Sequence, residues 1–167
     1  MFYRRILSTF DIKIILVLIP RVVSIFFVIF QVLGMASYPG GTIHDISTNG
    51  YSFTSNFFSD MGAYQARNGD PNYLSMIFFS ISLILVGGTF ALYYLVLPKV
   101  FGNNNRNYYL SWIGTIFAFS GSICLIGTGL TPTDLVFDSH VFFANNIFHS
   151  FLVTSFFYSI VIFDTNI

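Results

Sequence analysis

Residues 73–97 read YLSMIFFSISLILVGGTFALYYLVL, 25 consecutive positions without a charged side chain. A helix rises 1.5 Å per residue, so a hydrocarbon core about 30 Å thick is crossed by about 20 apolar residues. This stretch crosses it with a turn to spare. Two segments of the same kind follow: Tyr108–Leu130, 23 residues without a charge, and Val141–Phe163, 23 residues in which no Asp, Glu, Lys or Arg occurs and His149 is the only histidine. A fourth, Ile14–Ser37, comes first and is apolar except for Arg21 behind Pro20. Proline suits the first turn of a helix, where its missing N–H has no partner to lose. The spanning part is therefore expected to start near Pro20, with Arg21 snorkelling to the headgroups.

Composition agrees with that reading. The chain has 167 residues, 54% hydrophobic and 8% charged, with a mean hydropathy of +0.73. Soluble domains carry about 25% charged residues. Seven Lys plus Arg balance seven Asp, with no Glu, which excludes a basic nucleic-acid-binding face and a disordered tail. A single cysteine, Cys124, excludes a disulfide framework or a cysteine-based metal cluster. The expected fold is an all-α transmembrane helical bundle with four spans, at about 20–37, 73–97, 108–130 and 141–163. Residues 1–167 form one integral membrane domain of up-down topology, with a long first outer loop and no soluble appendage after Asp164-Thr165-Asn166-Ile167.

The first segment also has features of a signal peptide, with Arg4 and Arg5 as a basic start and Gly34-Met35-Ala36 as a loose cleavage site. The apolar run from Val22 is long for such a peptide, and Arg21 interrupts what precedes it, so the anchor reading is preferred. Orientation follows from Lys and Arg near the helix ends. Arg4, Arg5, Lys13, Arg21, Lys99 and Arg106 fall on one side and Arg67 alone on the other. Both termini are expected in the cytoplasm, with Asp45, Asp60, Asp70, Asp134 and Asp138 outside.

In lipid, close helix contact depends on small residues. Gly114-xxx-Ala118-xxx-Ser122 and Gly87-Gly88, with Ser80 two turns earlier, are expected packing seams, and Cys124 an inert buried thiol. The last span differs. Asn145, Asn146 and His149 are three to four residues apart and share a helix side. Facing lipid they would cost several kcal/mol, so they are expected to turn into the bundle as a polar packing face, or to serve a ligand, proton or metal.

The loop of residues 38–72 carries His44-Asp45, Asn56-Phe57-Phe58-Ser59-Asp60-Met61-Gly62, Arg67 and Asp70. Thr54 or Ser55 is expected to cap a short helix whose Phe57, Phe58 and Met61 face the bilayer. Pro39-Gly40-Gly41 and Asn68-Gly69-Asp70-Pro71 read as turns. At 35 residues the loop is long for a structureless connection and is expected to pack over the bundle as a lid. The other outer loop holds Asp134, Asp138 and His140. Asp60, Asp134, Asp138, His140 and His149 are thus candidates to converge at the outer mouth, where carboxylate and imidazole would suit zinc or manganese or acid–base work. Their spacing matches no compact metal motif, and solvated loop charges beside one packing histidine are the simpler reading.

Asn56-Phe57-Phe58-Ser59-Asp60-Met61-Gly62 running to Asn72, and Gly127-Thr128-Gly129-Leu130-Thr131-Pro132-Thr133-Asp134 running to His140, resemble the uncharacterised bacterial and archaeal membrane family catalogued as domain of unknown function 998. Members carry an Asn-x-x-Ser-Asp-Leu-Gly-like segment before the second helix and a Gly-x-x-x-Thr-Pro-x-Asp segment followed by His between the third and fourth. Ser59, Asp60, Gly62, Pro132, Asp134 and His140 stand at family-like positions, with Met61 in place of leucine. The resemblance covers residues 20–163 and implies a six-helix bundle, of which four helices are read here; it implies no activity. The chain is more distantly similar to lipid-associated multispan proteins of the Frag and DRAM kind. It is also similar to intramembrane hydrolases that use Ser, Asp and three His, whose H-x-x-x-H pair is missing here.

Two functions follow as expectations. The first is a non-enzymatic polytopic membrane protein without a cofactor. Its partners would be membrane lipids, a second copy or another membrane subunit, and no nucleic acid. The alternative is a metal-dependent intramembrane hydrolase of a lipid or amide at the outer leaflet. There Asp60, His140 and His149 would hold zinc or manganese, with Asp60, Asp134 or Asp138 as candidate catalytic carboxylates.

Overall fold

The computed structural model describes residues 9–165; Arg4, Arg5, Asn166 and Ile167 lie outside the described residues. The described chain is helical, with no β-strand and four helices long and apolar enough to cross a membrane. These are Asp11–Ser37, Tyr73–Phe101, Asn105–Leu130 and Phe137–Thr165, called here the first to fourth helices. Packing runs in chain order, first on second, second on third and third on fourth.

The first helix does not begin at Pro20. Thr9–Lys13 is already α-helical and Ile14–Leu18 forms a π turn before Ile19–Ser37. Proline inside a helix has no N–H for the carbonyl four residues back, and its ring crowds that carbonyl. Here the Ile19 N–H reaches Ile14 O, five residues back, and the widened turn accommodates Pro20 in a continuous helix. The Pro20 carbonyl accepts a bond from the Ser24 hydroxyl at 2.8 Å. Lys13 and Arg21 are both exposed.

The other boundaries follow local chemistry. Leu97–Phe101 tightens into a 3-10 turn around Pro98. The Asn104 side chain caps the third helix, accepting from the Arg106 and Asn107 N–H groups at 2.9 and 3.4 Å. The fourth helix begins at Phe137, before the expected Val141, so Asp138 and His140 belong to its first turn rather than to a loop.

The seams are made by glycine and short hydroxylic side chains. A methyl group at Gly87 would lie 2.8 Å from the Ser122 carbonyl and 2.7 Å from Ile126, so the second and third helices meet nearly backbone to backbone. Gly121 and Gly127 receive the rings of Phe151 and Phe143, and Gly114 receives Tyr158. Thr115 donates to Tyr94 O at 3.0 Å and pairs with the Tyr158 hydroxyl at 2.9 Å, joining three helices. Gln31 donates to Ser82 between the first and second helices. Ala118, Ser122 and Cys124 are buried, as the stripe reading expects, whereas Gly88 has open space around it.

Gly87→Ala is expected to destabilise the bundle by about 2–3 kcal/mol, because the clash is with backbone and cannot be relieved by a rotamer change. Gly88→Ala is expected to be neutral or mildly stabilising, within about 1 kcal/mol. Unfolding of both variants in mixed micelles checks the contrast, and equal effects would refute this account of the seam.

Candidate functional site

Residues 38–72 form a structured cap over one end of the bundle. Gly40 and Gly41 have positive φ, and a side chain at Gly41 would strike the backbone of Asn68 and Arg67, so the two expected turns pack against each other. The 3-10 turn Phe58–Gly62 follows. Its cap is Phe57, not Thr54 or Ser55, and the Phe57 N–H donates to Asp60 Oδ2 at 3.0 Å. Phe57 and Phe58 are exposed, whereas Met61, expected to face outward with them, is wholly buried, with its sulfur against Gly34 and its side chain in the cluster of Phe79, Leu83 and Leu125. Gly62 admits this docking, since a methyl there would lie 2.5 Å from the Phe79 ring.

Asp60 is the centre of the cap. It is 5% exposed, and Arg67 grips it side-on, Nε to Oδ2 and Nη2 to Oδ1, both at 2.8 Å. Asn56 Nδ2 adds a bond to Oδ2 at 3.1 Å and another to Gly41 O at 2.9 Å. The Arg67 guanidinium stands 5.6 Å from the Phe57 ring centre. Its hydrogen bonds to Asp60 raise its pKa further, burial opposing them. Tyr38 accepts the Arg67 backbone N–H at 3.1 Å; burial pushes its pKa up, and the nearby Asp60 charge adds to that. Asn72 Nδ2 donates to the carbonyls of Asp60, Met61 and Ala63, binding the turn to the start of the second helix.

The second short loop locks onto this cap. The Asp134 carboxylate accepts the Tyr64 and Gln65 N–H groups at 2.8 and 2.9 Å. His140, 4% exposed, donates from Nδ1 to Thr131 O at 2.6 Å, closing the end of the third helix. Asp60, Asp134 and His140 are thus structural fasteners of one end of the bundle.

The expected convergence with His149 is not found. Nine residues separate His140 from His149, about 13 Å along the helix and about half a turn around it. His140 is buried against the third helix, while His149 is exposed, and Asp138 is exposed on the first turn. A zinc ion holds its ligands at about 2 Å, so His140 and His149 cannot share one. Among the described residues no three His, Cys, Asp or Glu side chains are grouped to hold a metal. Nor do Asn145, Asn146 and His149 turn into the bundle. Asn145 and His149 are exposed and Asn146 is half-buried, its amide returning to Phe142 O at 2.7 Å. The inward face is the row of His140, Ser150, Thr154, Tyr158 and Val161, because the glycines of the third helix accept the bulky side chains of that side.

One feature had no clear sequence signal. The first and fourth helices leave a cleft of about 370 Å³ between them, within the usual range of small-molecule sites. Phe27, Val86, Phe90, Leu125, Ile147 and Phe151 line it, Ser24 and Thr89 are its polar side chains, and no acid, base or metal-binding group faces it. The ion pair had a faint signal: Arg67 is the one Lys or Arg of residues 38–72, surrounded there by Asp45, Asp60 and Asp70. No family model, curated protein or solved structure matches this chain.

Arg67→Met leaves the Asp60 carboxylate buried without its cation and is expected to cost about 2 kcal/mol, below the usual cost of breaking a buried pair because Arg67 is partly solvated. The loss should fall on the cap, as faster amide exchange across residues 38–72 with the helices still protected. Asp134→Ala is expected to speed exchange of the Tyr64 and Gln65 amides by about tenfold, the equivalent of about 1.4 kcal/mol. Unchanged exchange in either variant would show that the cap is held by packing alone.

Proposed function

We propose that this chain is a multi-pass integral membrane protein that binds rather than transforms its ligand, holding an acyl chain of a membrane lipid in the cleft between its first and fourth helices. The cleft carries this reading. It lies at mid-height of helices long enough to cross a bilayer, it opens sideways, and its wall is almost wholly apolar. At that depth the surrounding medium is hydrocarbon, so a lipid tail enters without losing hydrogen bonds. The absence of an acid, base or metal-binding group from the wall favours binding over hydrolysis.

The charge distribution supports an orientation. Lys13, Lys99 and Arg106 stand toward the end opposite the cap, with Arg21 about 12 Å along the first helix from Lys13, whereas Arg67, the one Lys or Arg of the cap, is neutralised by Asp60. The amino and carboxyl termini then lie in the cytoplasm, and the cap covers the outer leaflet end.

A phosphatidylcholine with a photoreactive group in its acyl chain, incorporated into vesicles with the protein, is expected to label residues 83–90 and 147–151. Val86→Trp fills the cleft and should lower that labelling about tenfold while leaving labelling of the outer surfaces unchanged. Equal labelling with and without the tryptophan would discard the proposal. For the orientation, a cysteine at the exposed Phe53 in a Cys124→Ser background is expected to react in intact cells with a membrane-impermeant maleimide. Reaction only after permeabilisation would invert the topology.

A further inference from the structure

The outward side of the fourth helix carries a polar pair in the part of the molecule least able to tolerate it. The helix has 29 residues, and His149 stands about 18 Å from its first residue and about 24 Å from its last. Asn145 is one turn nearer the cap. Both therefore fall within the hydrocarbon depth, both are exposed, and neither side chain forms a hydrogen bond within the described residues. An amide and an imidazole left unpaired in hydrocarbon are costly, and ionisable groups at this depth are rare.

Phe142, Asn145, His149, Leu152, Phe156 and Ser159 are all exposed and lie on one line, at intervals of three, four, three, four and three residues. That alternation is the seam along which two helices pack at a shallow crossing angle, and a polar residue in such a seam sets its register. The inward face of the same helix is already engaged by the third helix, and this line lies on a separate, exposed side.

We infer that a second copy of this chain covers the line, forming a parallel two-fold dimer in which Asn145 faces Asn145 and His149 faces His149. The occupant follows from hydrogen-bond complementarity. Copies of one chain insert with the same orientation, so a two-fold axis along the membrane normal brings each residue of the line against itself. A carboxamide carries donors and an acceptor, and a neutral imidazole carries one of each, so both groups complement their own copies. A lipid tail offers no such partner.

The test uses the full chain in phosphatidylcholine vesicles at high dilution, with dimerisation read by energy transfer between singly labelled copies. The wild type is expected to dimerise, and Asn145→Leu/His149→Leu to weaken association about five- to tenfold, as a few interhelical hydrogen bonds would. The two side chains are exposed and form no hydrogen bond within the described residues, so the variant should keep the wild-type unfolding transition. In a Cys124→Ser background, Leu152→Cys on the line is expected to form an intermolecular disulfide under mild oxidation, whereas Ile116→Cys, equally exposed on the third helix, should not. A monomeric wild type, an unweakened double variant, or equal cross-linking at both cysteines would each overturn the inference.

Discussion

Helices in hydrocarbon gain nothing by merely hiding apolar surface from one another, because the lipid is as apolar as they are. What holds this bundle is closeness. Gly87 brings the second helix against the backbone of the third at Ser122, and Gly121 and Gly127 receive phenylalanine rings from the fourth. Dispersion between well-fitted surfaces then adds up, and short hydroxyl bonds such as those of Thr115 fix the helices in register. The same glycines decide which side of the fourth helix faces inward, and so which of its polar residues are buried and which are left on the outside.

The cap obeys a different balance. At the bundle end, water is near enough for charges but the turn Phe58–Gly62 is packed beneath them. Asp60 is held there by a side-on guanidinium, an amide and a backbone N–H. Such a network adds little net stability but specifies one arrangement, since any other would leave a buried carboxylate unpaired. Asp134 extends this order to the neighbouring loop. The two loops close one end of the bundle, while the lateral cleft opens where the first helix, packed mainly on the second, leaves the fourth uncovered.

The membrane character, the four helices and most of their boundaries were legible because each depends on a local property, the length of an apolar run. The error at Pro20 was also local. Proline was read as a helix start, but five-residue bonding at Ile14–Ile19 lets the helix pass through it. The candidate site was legible only as residue types. Asp60, Asp134 and His140 were singled out, and all three do gather at one end, but as fasteners with separate partners. His149 was joined to them on chemistry alone, and helix geometry separates it.

Chain order and hydropathy by themselves determined that this protein is a four-helix bundle with a long connection after the first helix, because crossing a fixed hydrocarbon thickness sets the number of residues required. They also marked the glycine and serine seams, since small side chains are what close contact needs. Only the tertiary structure decided which face each helix presents, that Arg67 is the partner of Asp60, that Met61 points inward, and that Asn145 and His149 point out. Those choices depend on contacts between residues far apart in the chain, where one rotation of a helix exchanges its buried and exposed sides without changing its hydropathy.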